Sequence, residues 1–77
     1  MKREVDFLVV RDRKPWFLVE VKHGDEKLSD ALGYFQEQVQ ARHAFQVVLE
    51  KRFENADCFE RNDPVVVPAR TFLSQLL

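Results

Sequence analysis

Residues 4–22, Glu4-Val5-Asp6-Phe7-Leu8-Val9-Val10-Arg11-Asp12-Arg13-Lys14-Pro15-Trp16-Phe17-Leu18-Val19-Glu20-Val21-Lys22, decide the fold. Two runs rich in β-branched and aromatic residues, 4–10 and 16–22, bracket the turn-like Asp12-Arg13-Lys14-Pro15 and read as an antiparallel hairpin. Opposed residues of such a pair share a face, and a loop over 12–14 sets Asp6 opposite Glu20 and Glu4 opposite Lys22. Four charges then gather on one face, at the end away from the turn. Val5, Phe7, Val9, Phe17, Val19 and Val21 make the other face uniformly apolar, and an amphipathic helix is expected to cover it. Leu8, Val10, Trp16 and Leu18 continue the charged face toward the turn, so some apolar cover is expected there too.

Beyond the hairpin, His23-Gly24-Asp25 is a break, and Leu28, Leu32, Phe35 and Val39 then recur at helical spacing. The spacing predicts a helix over 29–41, with Ser29 or Asp25 as N-cap. Gly33 inside it costs up to about 1 kcal/mol relative to Ala, which suggests a close approach to the sheet. Residues 44–49 (AFQVVL) form a third strand, and a strand-helix-strand order of this length favours a right-handed parallel crossover. Residues 50–63 are polar and irregular, with 57–60 a candidate edge strand. Val65-Val66-Val67 before Pro68 is a further short strand, and Phe72, Leu73, Leu76 and Leu77 give a final helix its apolar face. The expected class is α/β with a mixed sheet, in the order β-β-α-β-(β)-α.

Seventy-seven residues, 45% hydrophobic and 32% charged, suit one globular domain with a marginal core, which makes self-association an expectation. A net charge of −1 excludes a global basic field, so any nucleic-acid affinity is expected to be weak. No apolar run approaches the roughly 20 residues of a membrane helix, and Met1-Lys2-Arg3-Glu4 leads into a strand rather than a signal peptide. The single cysteine, Cys58, excludes an internal disulfide and a CxxC metal pair, and reads as a small buried residue. A cytoplasmic protein without membrane partners is the expectation.

Two carboxylates facing each other across a hairpin form a hard-oxygen site for Mg²⁺, with waters and substrate phosphate completing the shell. Lys22, two residues after Glu20 on the same face, is placed to orient a water or to stabilise developing negative charge. The plainer alternative is a Glu4–Lys22 ion pair with Asp6 and Glu20 on a solvated face. Against it, like charges set directly opposite destabilise a sheet unless a cation lies between them. Register alone leaves both readings open.

The pattern Glu4-Val5-Asp6-Phe7, twelve residues, then Glu20-Val21-Lys22 at the end of an apolar strand resembles the D…(D/E)xK signature of the PD-(D/E)XK nuclease-like superfamily. With LSDALGYFQ (28–36), FQVVLE (45–50) and VVVPARTFLSQLL (65–77), nearly the whole chain resembles the C-terminal domain of a family of prokaryotic AAA-type ATP-binding proteins. The resemblance implies a restriction-endonuclease-like sheet, with Asp6 and Glu20 as ligands of Mg²⁺ or Mn²⁺ and Lys22 as the catalytic lysine. It implies a partial or vestigial metal-dependent nuclease, 1–77 being one domain that lacks the superfamily's first helix and strand. The alternative is a noncatalytic binding or oligomerisation module that keeps the fold. Since the superfamily's first strand is absent, the strand at 44–49 is expected to have an open edge, and a dimer is the simplest way to cover it. ATP hydrolysis is not expected, because Gly24 and Gly33 are the only glycines and no GxxxxGK phosphate loop exists.

Lesser candidates are Tyr34, Gln36 and Gln38, near a substrate or simply exposed on the helix, and His23, near phosphate or simply on the surface. His43 is a candidate for closing the helix, and Trp16 reads as a core or interface residue rather than a base-stacking platform.

Overall fold

In a computed structural model, which describes residues 5–24 and 27–76, the chain forms a four-stranded mixed sheet with a helix on each face. Strands β1 (Phe7–Arg11) and β2 (Lys14–Lys22) are the antiparallel hairpin, and helix α1 (Asp30–Val39) leads to β3 (His43–Val48). A single 3-10 turn, Cys58–Glu60, precedes β4 (Val65–Pro68) and helix α2 (Ala69–Ser74). The sheet order is β1-β2-β3-β4, with β3 parallel to both β2 and β4. Among the described residues no helix is long and apolar enough to cross a membrane.

The hairpin reaches the expected register by an unexpected route. Its turn has two residues, Asp12 and Arg13, both with left-handed φ (53° and 64°), the conformation of a type I′ connection. Pairing then shifts between Val9↔Phe17 and Val10↔Pro15, leaving Trp16 as a bulged residue on β2. The bulge turns Trp16 away from the Leu18 side and sets it against Phe17 and Phe59, with ring centroids 4.9 and 5.3 Å away. A β-carbon in the left-handed region is strained by roughly 1–2 kcal/mol, partly offset in glycine by a larger entropy loss on folding. Arg13→Gly should therefore raise stability by about 0.5–1 kcal/mol, read as a higher urea midpoint with an unchanged slope.

Both faces of the sheet are covered, and the helices divide them differently from the expectation. Helix α1 does not lie on the Phe7/Val19 face; its Leu32, with Phe35 and Val39, packs on Leu18 and Ala44, the same side as Glu20 and Lys22. The other face holds Phe17, Val19, Phe45, Val47 and Val67, covered by Ala69 and Phe72 of α2 and by Cys58 of the 3-10 turn. Every residue of β3 is buried, as fits a central parallel strand. The expected open edge at 44–49 is absent because β4 pairs there, Phe45↔Val65 through Val48↔Pro68. β1 and β4 are the outer strands, so any strand addition falls to them.

Ser29 is the N-cap of α1, its Oγ accepting from the Ala31 amide at 3.1 Å. Gln40 ends the helix at φ 59°, and the Ala41 amide donates to the Gln36 carbonyl. Gly33 serves no close approach, since a β-carbon there meets only Pro64 at 3.9 Å. His43 does not close the helix; it opens β3, buried, with Nδ1 2.7 Å from the Arg61 carbonyl. Residues 57–60 are a turn rather than an edge strand, capped by Asp57, whose Oδ1 accepts from the Phe59 amide. The neighbouring Cys58 is buried as expected, and burial with the adjacent Asp57 charge raises its thiol pKa above that of an ordinary cysteine.

Candidate functional site

β2 ends by presenting Leu18, Glu20 and Lys22 toward α1, and the three differ in what they meet. Leu18 is in the core beneath α1. Glu20 follows it in the register beside Gln46 of β3, and Lys22 beside Val48. Gln46 is fully buried and satisfies the segment that enters α1: its Oε1 accepts from the Ser29 amide at 2.8 Å, and its Nε2 donates to the Lys27 carbonyl at 2.7 Å. Glu20 is thus walled on the β3 side by a side chain already committed to the backbone.

Glu20 is only 8% exposed, an unusual burial for a carboxylate. Its Oε1 lies 3.3 Å from Lys22 Nζ, while its Oε2 is buried with no hydrogen-bond partner. A buried acceptor left unpaired costs about 1–3 kcal/mol, more when charged. The ion pair therefore satisfies one carboxylate oxygen and leaves the other to be met by something else.

Asp6 precedes β1, and its amide donates to the Val19 carbonyl at 3.1 Å. Val19 is already the partner of Phe7, so the regular pairing stops there and Asp6 has no paired residue on β2. Val5, expected beside Phe7, instead packs on the Leu18 side under α1. The Asp6 carboxylate is anchored, with Oδ2 accepting from the Val21 amide at 2.7 Å. Beside it a hollow opens between β1 and α1, lined also by Val5, Leu18, Phe35 and Val39. Of the residues singled out in the sequence, Glu20 and Lys22 are in direct contact, and Asp6, just before β1, is fixed to the β2 backbone at Val21. The expected Glu4–Lys22 pair lies outside the described residues.

The lesser candidates have structural partners. His23 Nε2 is 2.8 Å from Glu50 Oε1, beside the Glu50 amide's bond to the His23 carbonyl, so it latches the ends of β2 and β3 together. Gln36 Nε2 donates to the Ala41 and Asn62 carbonyls, at 3.2 and 2.5 Å, and ties α1 to the segment before β4. The role of Gln46 escaped the sequence reading, although a lone glutamine in the apolar run AFQVVL was the signal available.

The carboxylates supply hard oxygen donors, and among the described residues no third His, Cys, Asp or Glu joins them in a group able to hold a metal. Two protein carboxylates with the remaining positions left to water is the coordination Mg²⁺ usually accepts. No protein-family profile, no curated protein and no solved structure matches the chain.

Proposed function

We propose that this chain is a metal-dependent nuclease-like domain of the PD-(D/E)XK type, with Asp6 and Glu20 as ligands of Mg²⁺ or Mn²⁺ and phosphodiester hydrolysis as the reaction. The observation that carries the reading is Glu20: a buried carboxylate with one oxygen on Lys22 and the other unpaired. A mixed sheet with the Glu-x-Lys motif on an inner strand also supports a restriction-endonuclease-like fold. A divalent ion bound there supplies an acidified water and offsets phosphodiester charge. Lys22 brings a cation to the same spot, held by Glu20 Oε1 where it can orient a water or stabilise charge on a phosphoryl oxygen. Asp6, tethered to the Val21 amide, holds its carboxylate steady just before the adjoining strand.

A noncatalytic module with the same fold is the second reading. It is favoured by the Lys22–Glu20 pair and the Asp6–Val21 bond, which give all three side chains structural work without a metal. Titration of Mn²⁺, followed by loss of the free-ion resonance signal, separates the two. The expected result is one ion per chain, with affinity reduced at least about tenfold in Asp6→Asn and in Glu20→Gln. No binding at millimolar Mn²⁺ to the unmodified chain rejects the metal site and leaves the module.

A further inference from the structure

At the turn end of the sheet, away from Glu20 and Lys22, two hollows share Arg11, Trp16 and Arg42 and run together as one trough. Lys14 lines one half, and His43 and Phe59 line the other. Arg11, Lys14 and Arg42 are exposed, and among the described residues none of them is paired with a carboxylate. The Arg11 guanidinium is held 4.9 Å from the centre of the Trp16 ring, which in turn stacks on Phe59. A guanidinium fixed over an indole keeps its hydrogen-bonding fork free and loses less entropy on binding an oxyanion.

Local backbone geometry builds this trough. The bulge at Trp16 turns the indole onto Phe59. Asp12 and Gln40, both lining the trough, hold left-handed φ values of 53° and 59° at the ends of β1 and α1. Three unpaired cations along an open channel with aromatic walls match a chain of phosphates carrying flat bases. A lone phosphate needs no such length, and a membrane surface offers nothing to stack on the rings. Two carboxylates line the trough, Asp12 in the half that holds Lys14 and the exposed Glu60 in the other, and each opposes an anion where it lies.

We propose that this trough binds the sugar–phosphate backbone of a single-stranded nucleic acid, with Arg11, Lys14 and Arg42 on phosphates and Trp16 and Phe59 as the aromatic wall. The site uses none of Asp6, Glu20 or Lys22 and stands whether or not the chain is catalytic. Trp16 is the only tryptophan, so its fluorescence reports on the trough directly. Titrating the full chain with oligothymidylate at low salt should change that signal saturably. Three contacts predict a log-affinity against log-salt slope of about −2. Lys14→Glu with Arg42→Glu, both on exposed positions, should weaken binding at least about tenfold and flatten the slope. Asp12→Asn, which suits a left-handed φ, should strengthen it about two- to threefold. Asp6→Ala with Lys22→Ala should leave it unchanged. Absence of a saturable change, or equal affinity in the charge-reversed chain, overturns the proposal. So does displacement by inorganic phosphate at equal phosphate-group concentration, which marks a free-phosphate site, or loss of binding in the Asp6/Lys22 double variant, which places the strand at the carboxylates.

Discussion

Lys22→Ala is expected to reduce Mg²⁺- or Mn²⁺-dependent cleavage of a labelled phosphodiester substrate by at least about 10²-fold, from a rate that is already slow. The slow starting rate follows from a net charge of −1, which gives little long-range attraction for a polyanion. The sensitivity to Lys22 follows from its position, 3.3 Å from the buried Glu20. Removing the lysine also strips Glu20 of its ion-pair partner, at a cost to stability of order 1–3 kcal/mol. Lys22→Arg separates the two effects: it restores the charge and the fold, but replaces a compact ammonium by a planar fork that does not orient a water in the same way. Activity lost in both variants, with stability recovered in the arginine variant, is the signature of a catalytic lysine. Cleavage that survives in both Asp6→Ala and Lys22→Ala comes from elsewhere and removes the nuclease assignment.

Phe45→Ala is expected to destabilise the fold by about 3–5 kcal/mol. Phe45 is fully buried on the central strand, with ring centroids of Phe72, Phe59 and Phe17 at 4.8, 5.1 and 5.5 Å. Truncation removes the ring that joins β2, the 3-10 turn and α2, and aromatic pairs of this kind add about 0.5–1.5 kcal/mol each beyond the area they bury. A chain of 77 residues has roughly 4–12 kcal/mol of stability in total, so the loss takes a large share of it. Thermal and urea denaturation followed by circular dichroism measure it; a loss below about 1.5 kcal/mol would mean that the aromatic cluster collapses around the gap. Phe45→Leu, which keeps most of the volume, should lose far less.

The hairpin, α1 with its Ser29 cap, β3, the short strand at 65–67 and the closing helix were all legible in the sequence, because each carries its own periodicity or cap. The register of the hairpin from Phe7 to Val9 was legible for a subtler reason. A three-residue loop and a two-residue turn with one bulged residue produce the same offset, so the pairing from Val9↔Phe17 to Phe7↔Val19 is insensitive to which occurs, while the position of Asp6 beyond it is set by its own bonds to Val19 and Val21. What the turn chemistry does decide is Trp16, and only the bulge shows that it leaves the Leu18 side. The face chosen by α1 was not legible. Both sides of β2 are buried, so alternation says which residues share a side but not which helix each side receives. Nor was the partner of β3, since a run such as Val65-Val66-Val67 shows that a strand is present but not which edge it joins. That Glu20 and Lys22 share a side was implied by their spacing, but their ion pair was not expected, and the burial that leaves Oε2 unpaired depends on Gln46 and α1, which periodicity does not position.

The place of β3 between two parallel partners sets an order of events during synthesis. Parallel pairing requires long connections to close first, which slows folding relative to hairpin formation. β1 and β2 can zip as they leave the ribosome, and α1 can bring β3 onto β2. β4 follows β3 by a long irregular stretch, so until Val65–Pro68 emerges the nascent chain carries Phe45, Gln46, Val47 and Val48 with one side of their backbone open. That interval, rather than the finished molecule, is when this chain is most exposed to aggregation and to capture by chaperones. Lengthening the connection between residues 49 and 64 should therefore slow refolding from urea and lower the soluble yield, with no change in the strand order reached.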